Sequence, residues 1–120
     1  MPHLPFALAV TFAASAALAD GFVPVTDRDR FVALVGARAL QHPVFGIRLE
    51  VTPDGQIRGD ALGWEVKGTW DWKDGYFCRE MDWSGTPIPF NCQLVEEDQD
   101  QRLRFTVDRG QGDAATFRLR

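Results

Sequence analysis

Residues 64–81 read WEVKGTWDWKDGYFCREM. Trp64, Val66, Gly68, Trp70 and Trp72 alternate with Glu65, Lys67, Thr69 and Asp71, the period-two signature of a strand with one buried and one charged face. Lys73-Asp74-Gly75 follows, and Asp-Gly favours the positive φ values of a tight hairpin turn. Tyr76 to Met81 is therefore predicted to return antiparallel. The same period extends outward on both sides. Over 44–51, Phe45, Ile47, Leu49 and Val51 share one face; Pro53-Asp54-Gly55 is a turn, and a short strand surrounds Ile57. Downstream, strands are predicted over 90–96, over 102–108 with Leu103, Phe105 and Val107 inward, and over 115–119 with Ala115, Phe117 and Leu119 inward. Turns at 97–101 and 109–113 separate them.

About seven short strands at this spacing predict a mainly β fold. The expected architecture is an antiparallel meander forming a small barrel-like, lipocalin/calycin-like domain. One helix is expected near residue 30. Thr26 is placed to cap it with Asp29 at N3, Phe31, Val32, Leu34 and Val35 supply the apolar stripe, and Gly36 ends it. Helical residues are expected to run on towards Leu40, with His42-Pro43 as the limit.

Residues 1–19, MPHLPFALAVTFAASAALA, hold an apolar run without a charged residue and end in Ala17-Leu18-Ala19. That is the form of a cleaved signal peptide, although its n-region carries no Lys or Arg. The competing reading, a retained anchor, meets a run that is short for a membrane span. A signal peptide over 1–19 and a single domain over 20–120 are expected, hence export to the periplasm or beyond. All 13 Lys and Arg and all 17 Asp and Glu fall after residue 19, so the domain itself carries the net charge of -4. Mixed mild acidity offers no basic stripe for nucleic acid. No later apolar stretch is long enough to span a bilayer.

Cys78 and Cys92 are the only cysteines. Their spacing fits neither C-x-x-C nor a zinc site, and in an oxidising compartment they are expected to form a disulfide. Such a bridge is worth roughly 3 kcal/mol in the chain-entropy model. No metal and no cofactor is expected. Gly110-Gln111-Gly112-Asp113-Ala114-Ala115 spells a dinucleotide-like G-x-G-x-x-A, but the chain ends before the helix and acidic residue that such a cradle needs, so a hairpin turn is predicted.

Trp64, Trp70 and Trp72 project from one strand face. They either fill the interior or wall a pocket for a flat or apolar ligand. Trp83 is placed in a loop over 82–89, tied at its base by the disulfide; it is either a recognition anchor for a partner or a cap on the barrel mouth. Asp71, Glu80 and Asp82 approach one another across the 73–75 hairpin and are the candidates for a hydrolase-type enzyme. Solvated charges balanced by Lys73 and Arg79 are the alternative. His42 stands alone beside Pro43 and is expected at a surface or junction. With no Ser, Cys or His motif, a module that binds a small apolar ligand or a protein partner is favoured over an enzyme.

The leader, the helix ending at Gly36, the Pro53-Asp54-Gly55 turn, Gly68-Thr69-Trp70, Asp74-Gly75-Tyr76-Phe77-Cys78 and the second cysteine at Cys92 together have a known likeness. The chain resembles a group of small alphaproteobacterial periplasmic proteins of unknown function. Some of these carry the label dihydrodipicolinate reductase. The resemblance implies a compartment and a fold style and brings no activity, and this chain lacks the Rossmann unit and the His and Lys pair that such a reductase requires.

Overall fold

The computed structural model describes residues 20–120; the leader expected over 1–19 lies outside them. The described residues form nine strands, one helix of two turns, a 3-10 turn at Pro43–Phe45 and a short kinked helical turn at Val107–Gly110. The strands are β1 (Val23–Val25), β2 (Leu40–His42), β3 (Ile47–Val51), β4 (Gln56–Ala61), β5 (Trp64–Lys73), β6 (Tyr76–Trp83), β7 (Thr86–Glu97), β8 (Arg102–Thr106) and β9 (Ala114–Leu119), with α1 at Arg28–Val35. Each strand from β2 to β9 pairs antiparallel with the next. β9 then pairs with β2, Leu119 opposite Leu40, and closes an eight-strand barrel. β1 adds to the lower part of β7, Val25 opposite Val95, where β6 has already ended.

Residue parity sorts the wall. The inward set includes Leu40, Leu49, Val51, Ile57, Val66, Trp70, Phe77, Val95, Leu103, Phe105 and Leu119, all buried. Outward residues of the same strands, such as Arg48, Glu50, Lys67 and Asp71, are exposed. Three two-residue turns, Leu62-Gly63, Asp74-Gly75 and Ser84-Gly85, have positive φ at both positions. That geometry matches the right-handed twist of the flanking strands.

One end of the barrel is plugged by α1. Its cap is Asp27 rather than Thr26: the Asp27 carboxylate accepts from the Arg30 N–H at 2.8 Å, one of the amides that a first turn leaves without a partner. The helix ends at Gly36; residues 37–39, expected to extend it, turn the chain, and Leu40 is already the first residue of strand β2. Phe31 is 0% exposed and meets Trp70, Trp72 and Phe77 at centroid distances of 5.3, 5.1 and 5.0 Å. Trp70 donates from Nε1 to the Thr52 carbonyl at 2.8 Å, and Arg28 lies over its ring while donating to the Pro53 carbonyl. The plug and the β3–β4 turn are thus held by the same side chains.

Two further expectations are corrected. Residues 43–45 form a 3-10 turn rather than the start of a strand, with Gly46 in the left-handed region. Phe45 consequently leaves the inward set and is 56% exposed. The segment expected as a loop over 82–89 is mostly ladder: β6 runs through Trp83, Ser84-Gly85 turns, and β7 starts at Thr86. Pro87 and Pro89 are tolerated because β8 pairs only with Leu94 to Glu97, which leaves the earlier part of β7 with one neighbour, where a missing N–H costs no ladder bond.

Ion pairs tie the acidic turn after β7 to its surroundings. Glu97 pairs with Arg30 at 2.5 Å, Asp98 with Arg102 at 2.6 Å, and Arg104 bridges Glu96 and Asp20, each at 2.9 Å. Burial pushes the Asp98 carboxyl up, but the Arg102 amide and guanidinium and the Asp100 amide donate to it, and the net direction is down. An acid depressed in the folded state stabilises the fold above its unfolded pKa, 3.8 here, and the contribution is lost as pH falls through the folded value. Asp98→Asn is therefore expected to lower the urea midpoint near neutral pH and to flatten its decline below about pH 4. An unchanged acid limb in that titration removes Asp98 from the account.

Candidate functional site

The end opposite α1 is open. It is bordered by the 43–46, 62–63 and 84–85 turns and by residues 107–113 between β8 and β9. A cavity of about 280 Å³ enters the barrel here. Its inner wall is apolar, with Leu49, Ile57, Phe77, Met81, Phe105 and Phe117 as the main contributors. Arg79 and Gln93 bring polar groups to the same wall, and Asp113 stands among the lining residues from the β8–β9 connection.

Arg79 lies inward because it shares parity with Phe77 and Met81 on β6. The register between β6 and β7 shifts from Arg79–Asn91 to Met81–Ile88, so β7 carries an extra residue around Pro89-Phe90. Such a bulge frees backbone groups from the ladder. The Arg79 guanidinium donates to the Pro89 carbonyl at 2.7 Å. None of the ion pairs among the described residues includes it. Burial lowers its pKa from the ordinary arginine value. Gly68 of β5 lies opposite Met81 of β6, and an added Cβ there would meet the Glu80 carbonyl oxygen at 2.3 Å. The β8–β9 connection is fastened on the other side, with the Asn91 amide donating to the Asp108 carboxylate at 2.7 Å and accepting from the Asp108 N–H at 3.0 Å. Asp108 and Arg109 have positive φ, and residues 107–113 turn the chain directly into β9. The G-x-G-x-x-A stretch is a connection between strands.

The tryptophans do not share one environment. Trp70 is buried in the core and Trp72 stacks on Phe31, both towards the plugged end. Trp64 begins β5 at the open end and is 63% exposed. Trp83 is half-buried, packs against the core and donates from Nε1 to the Ala61 carbonyl at 3.0 Å. None of the four is among the residues lining the cavity. Because the Trp83 indole bridges β6 to β4, Trp83→Phe is expected to cost about 1 kcal/mol through the lost hydrogen bond. Chemical denaturation measures this, and a stability equal to wild type would make that bond incidental.

Asp71, Glu80 and Asp82 lie opposite Cys78, Thr69 and Lys67 along the β5–β6 hairpin. They follow one another along its outer face instead of converging on a cleft, and the Asp82 carboxylate accepts from the Gly85 N–H at 2.8 Å. Arg79, expected to balance them, points to the opposite face. His42 lies at the open end between Phe45 and Phe117, at 4.8 and 5.5 Å, with its Nδ1 buried and without a hydrogen-bond partner. Cys78 and Cys92 are register partners on β6 and β7 and are bonded to each other. Among the described residues, no group of three or more His, Cys, Asp or Glu side chains is arranged to hold a metal ion. No described helix is long and apolar enough to cross a membrane.

Leu62, Val44 and Phe45 join Trp64 as exposed large apolar side chains on the turns of the open end. Sequence reasoning missed both this rim and the inward Arg79. For Arg79 the signal was present, since a charge at the position between Phe77 and Met81 breaks an apolar face. No family model, curated protein or solved structure matches the chain.

Proposed function

We propose that this protein is a small binding module that holds one compact, largely apolar molecule inside the open half of its barrel, and that it works in an oxidising compartment outside the cytoplasm. The observation that carries the binding reading is the cavity of about 280 Å³ with its almost wholly apolar wall. Concave apolar sites with a few placed polar groups are the usual form of small-molecule sites, and burying apolar ligand surface there is favourable at about 25 cal/mol per Å². The Cys78–Cys92 bond and the apolar leader support the compartment. Octanol is a suitable apolar probe. Titrated into isotope-labelled protein, it is expected to shift the resonances of Ile57, Met81 and Phe117 while leaving Trp72, beside the plug, unmoved. Shifts confined to the outer face, or no saturable shift at all, would overturn interior binding.

The exposed rim of Val44, Phe45, Leu62 and Trp64 favours a second reading, a protein partner seated on the open end. In native mass spectrometry of protein purified from its own compartment, that reading requires a bound polypeptide that Trp64→Ser releases.

A further inference from the structure

We infer that the molecule held in the barrel is an amphipathic anion, an apolar body with a carboxylate or similar acidic head, and that Arg79 is the residue that receives the head. This rests on the interior-binding reading and specifies its ligand class. Arg79 stands on an apolar wall between Phe77 and Met81, and no ion pair among the described residues satisfies it. Its one protein hydrogen bond, to the Pro89 carbonyl, uses a single N–H of the five that the guanidinium carries. Arg79 is half-buried, and a cation partly withdrawn from water beside apolar side chains gains from a counter-charge. The planar fork is shaped to accept two carboxylate oxygens at once, and such charge-assisted pairs are about twice as strong as neutral hydrogen bonds. Gln93, buried on the neighbouring strand and also lining the cavity, adds a neutral amide near the head group. Asp113 is the one acidic residue of the lining; it makes no ion pair with Arg79, and it disfavours a second negative charge at the entrance. The expected ligand is therefore a monoanion with its tail directed towards Ile57 and Phe105.

The test compares octanoate with octanol, which share a tail and differ in the head, by isothermal titration of the oxidised domain at neutral pH. Wild type is expected to bind octanoate about tenfold tighter than octanol. Arg79→Met, which keeps the length of the side chain and removes the charge, is expected to bring the ratio of octanoate to octanol affinity to about one, the ratio and not either affinity alone being the readout; Arg79→Lys is expected to retain part of the preference. Equal binding of the two probes by wild type overturns the assignment and leaves the interior site standing. Binding of neither removes the interior site as well. A preference for octanoate that survives in Arg79→Met overturns the role of Arg79. The wild-type comparison decides the ligand class even where a variant fails to fold.

Discussion

Phe31→Ala is expected to destabilise the domain by about 3–5 kcal/mol, the range for truncating a buried phenylalanine. The side chain is 0% exposed and is the one helical residue that touches four aromatic rings: Trp70, Trp72 and Phe77, and Phe105 edge-on at 6.4 Å. Removing it takes apolar surface out of the core and leaves a void among groups fixed elsewhere. Trp70 is held by its bond to the Thr52 carbonyl, and Phe77 and Phe105 by their ladders. The site therefore cannot collapse cheaply. Domains of this size have about 5–15 kcal/mol in all, so the variant should be marginal at 25 °C. Phe31→Leu, which refills most of the volume, should lose less than about 2 kcal/mol. Urea denaturation of both variants is the measurement. A loss under about 1 kcal/mol for Phe31→Ala would mean that α1 only rests on the barrel and does not plug it.

The fold was legible wherever burial alternated over a long strand. Residues 64–73 and their return through Asp74-Gly75 follow the period-two pattern because the barrel buries one face only. The same parity reads correctly through Leu49, Ile57, Leu103 and Phe105. Three-residue strands carry no period, which is why β1 and β2 were absent from the expectation and β2 was merged into the helix. Closure between Leu40 and Leu119 is a long-range pairing with no local signal. The 82–89 segment shows no strand period, and the tolerance of Pro87 and Pro89 within it depends on a missing neighbour, a property of the sheet and not of the segment.

The site was less legible, because parity says which face a residue occupies and not how far along the barrel it lies. Trp64, Trp70 and Trp72 do alternate together. Trp70 and Trp72 lie beside α1, however, while Trp64 begins its strand at the mouth and is largely exposed. Arg79 was grouped with the outward carboxylates by sequence proximity, though two-residue spacing from Phe77 places it inside. A charge at an inward position is the stronger signal in a barrel this narrow, since it must be paired, solvated through an opening, or used.

Removing the disulfide is the second large effect. The double variant Cys78→Ala/Cys92→Ala is expected to lose about 3 kcal/mol, within the 2–5 typical of small exported domains. Cys78 and Cys92 are already opposite each other in the β6–β7 register, so in the chain-entropy view most of the effect lies in the unfolded chain, which no longer has residues 78–92 closed into a loop. The folded side contributes as well. Just past the bond, β7 carries the bulge, two prolines and a free edge, and the bond is the covalent tie nearest to that weak stretch. Amide exchange over residues 86–93 should therefore accelerate more than over β4 or β5, beyond the global change. Reductant provides the control: it should bring the wild-type urea midpoint down to that of the double variant and leave the variant unchanged. A difference below about 0.5 kcal/mol would mean that the ladder alone holds the hairpin. The cavity wall would feel a loosened hairpin directly, because Arg79 follows Cys78 and hydrogen-bonds to the Pro89 carbonyl within that stretch. Octanoate affinity in the double variant should fall with the loosening of β7, which ties the oxidation state of the bond to the shape of the proposed site.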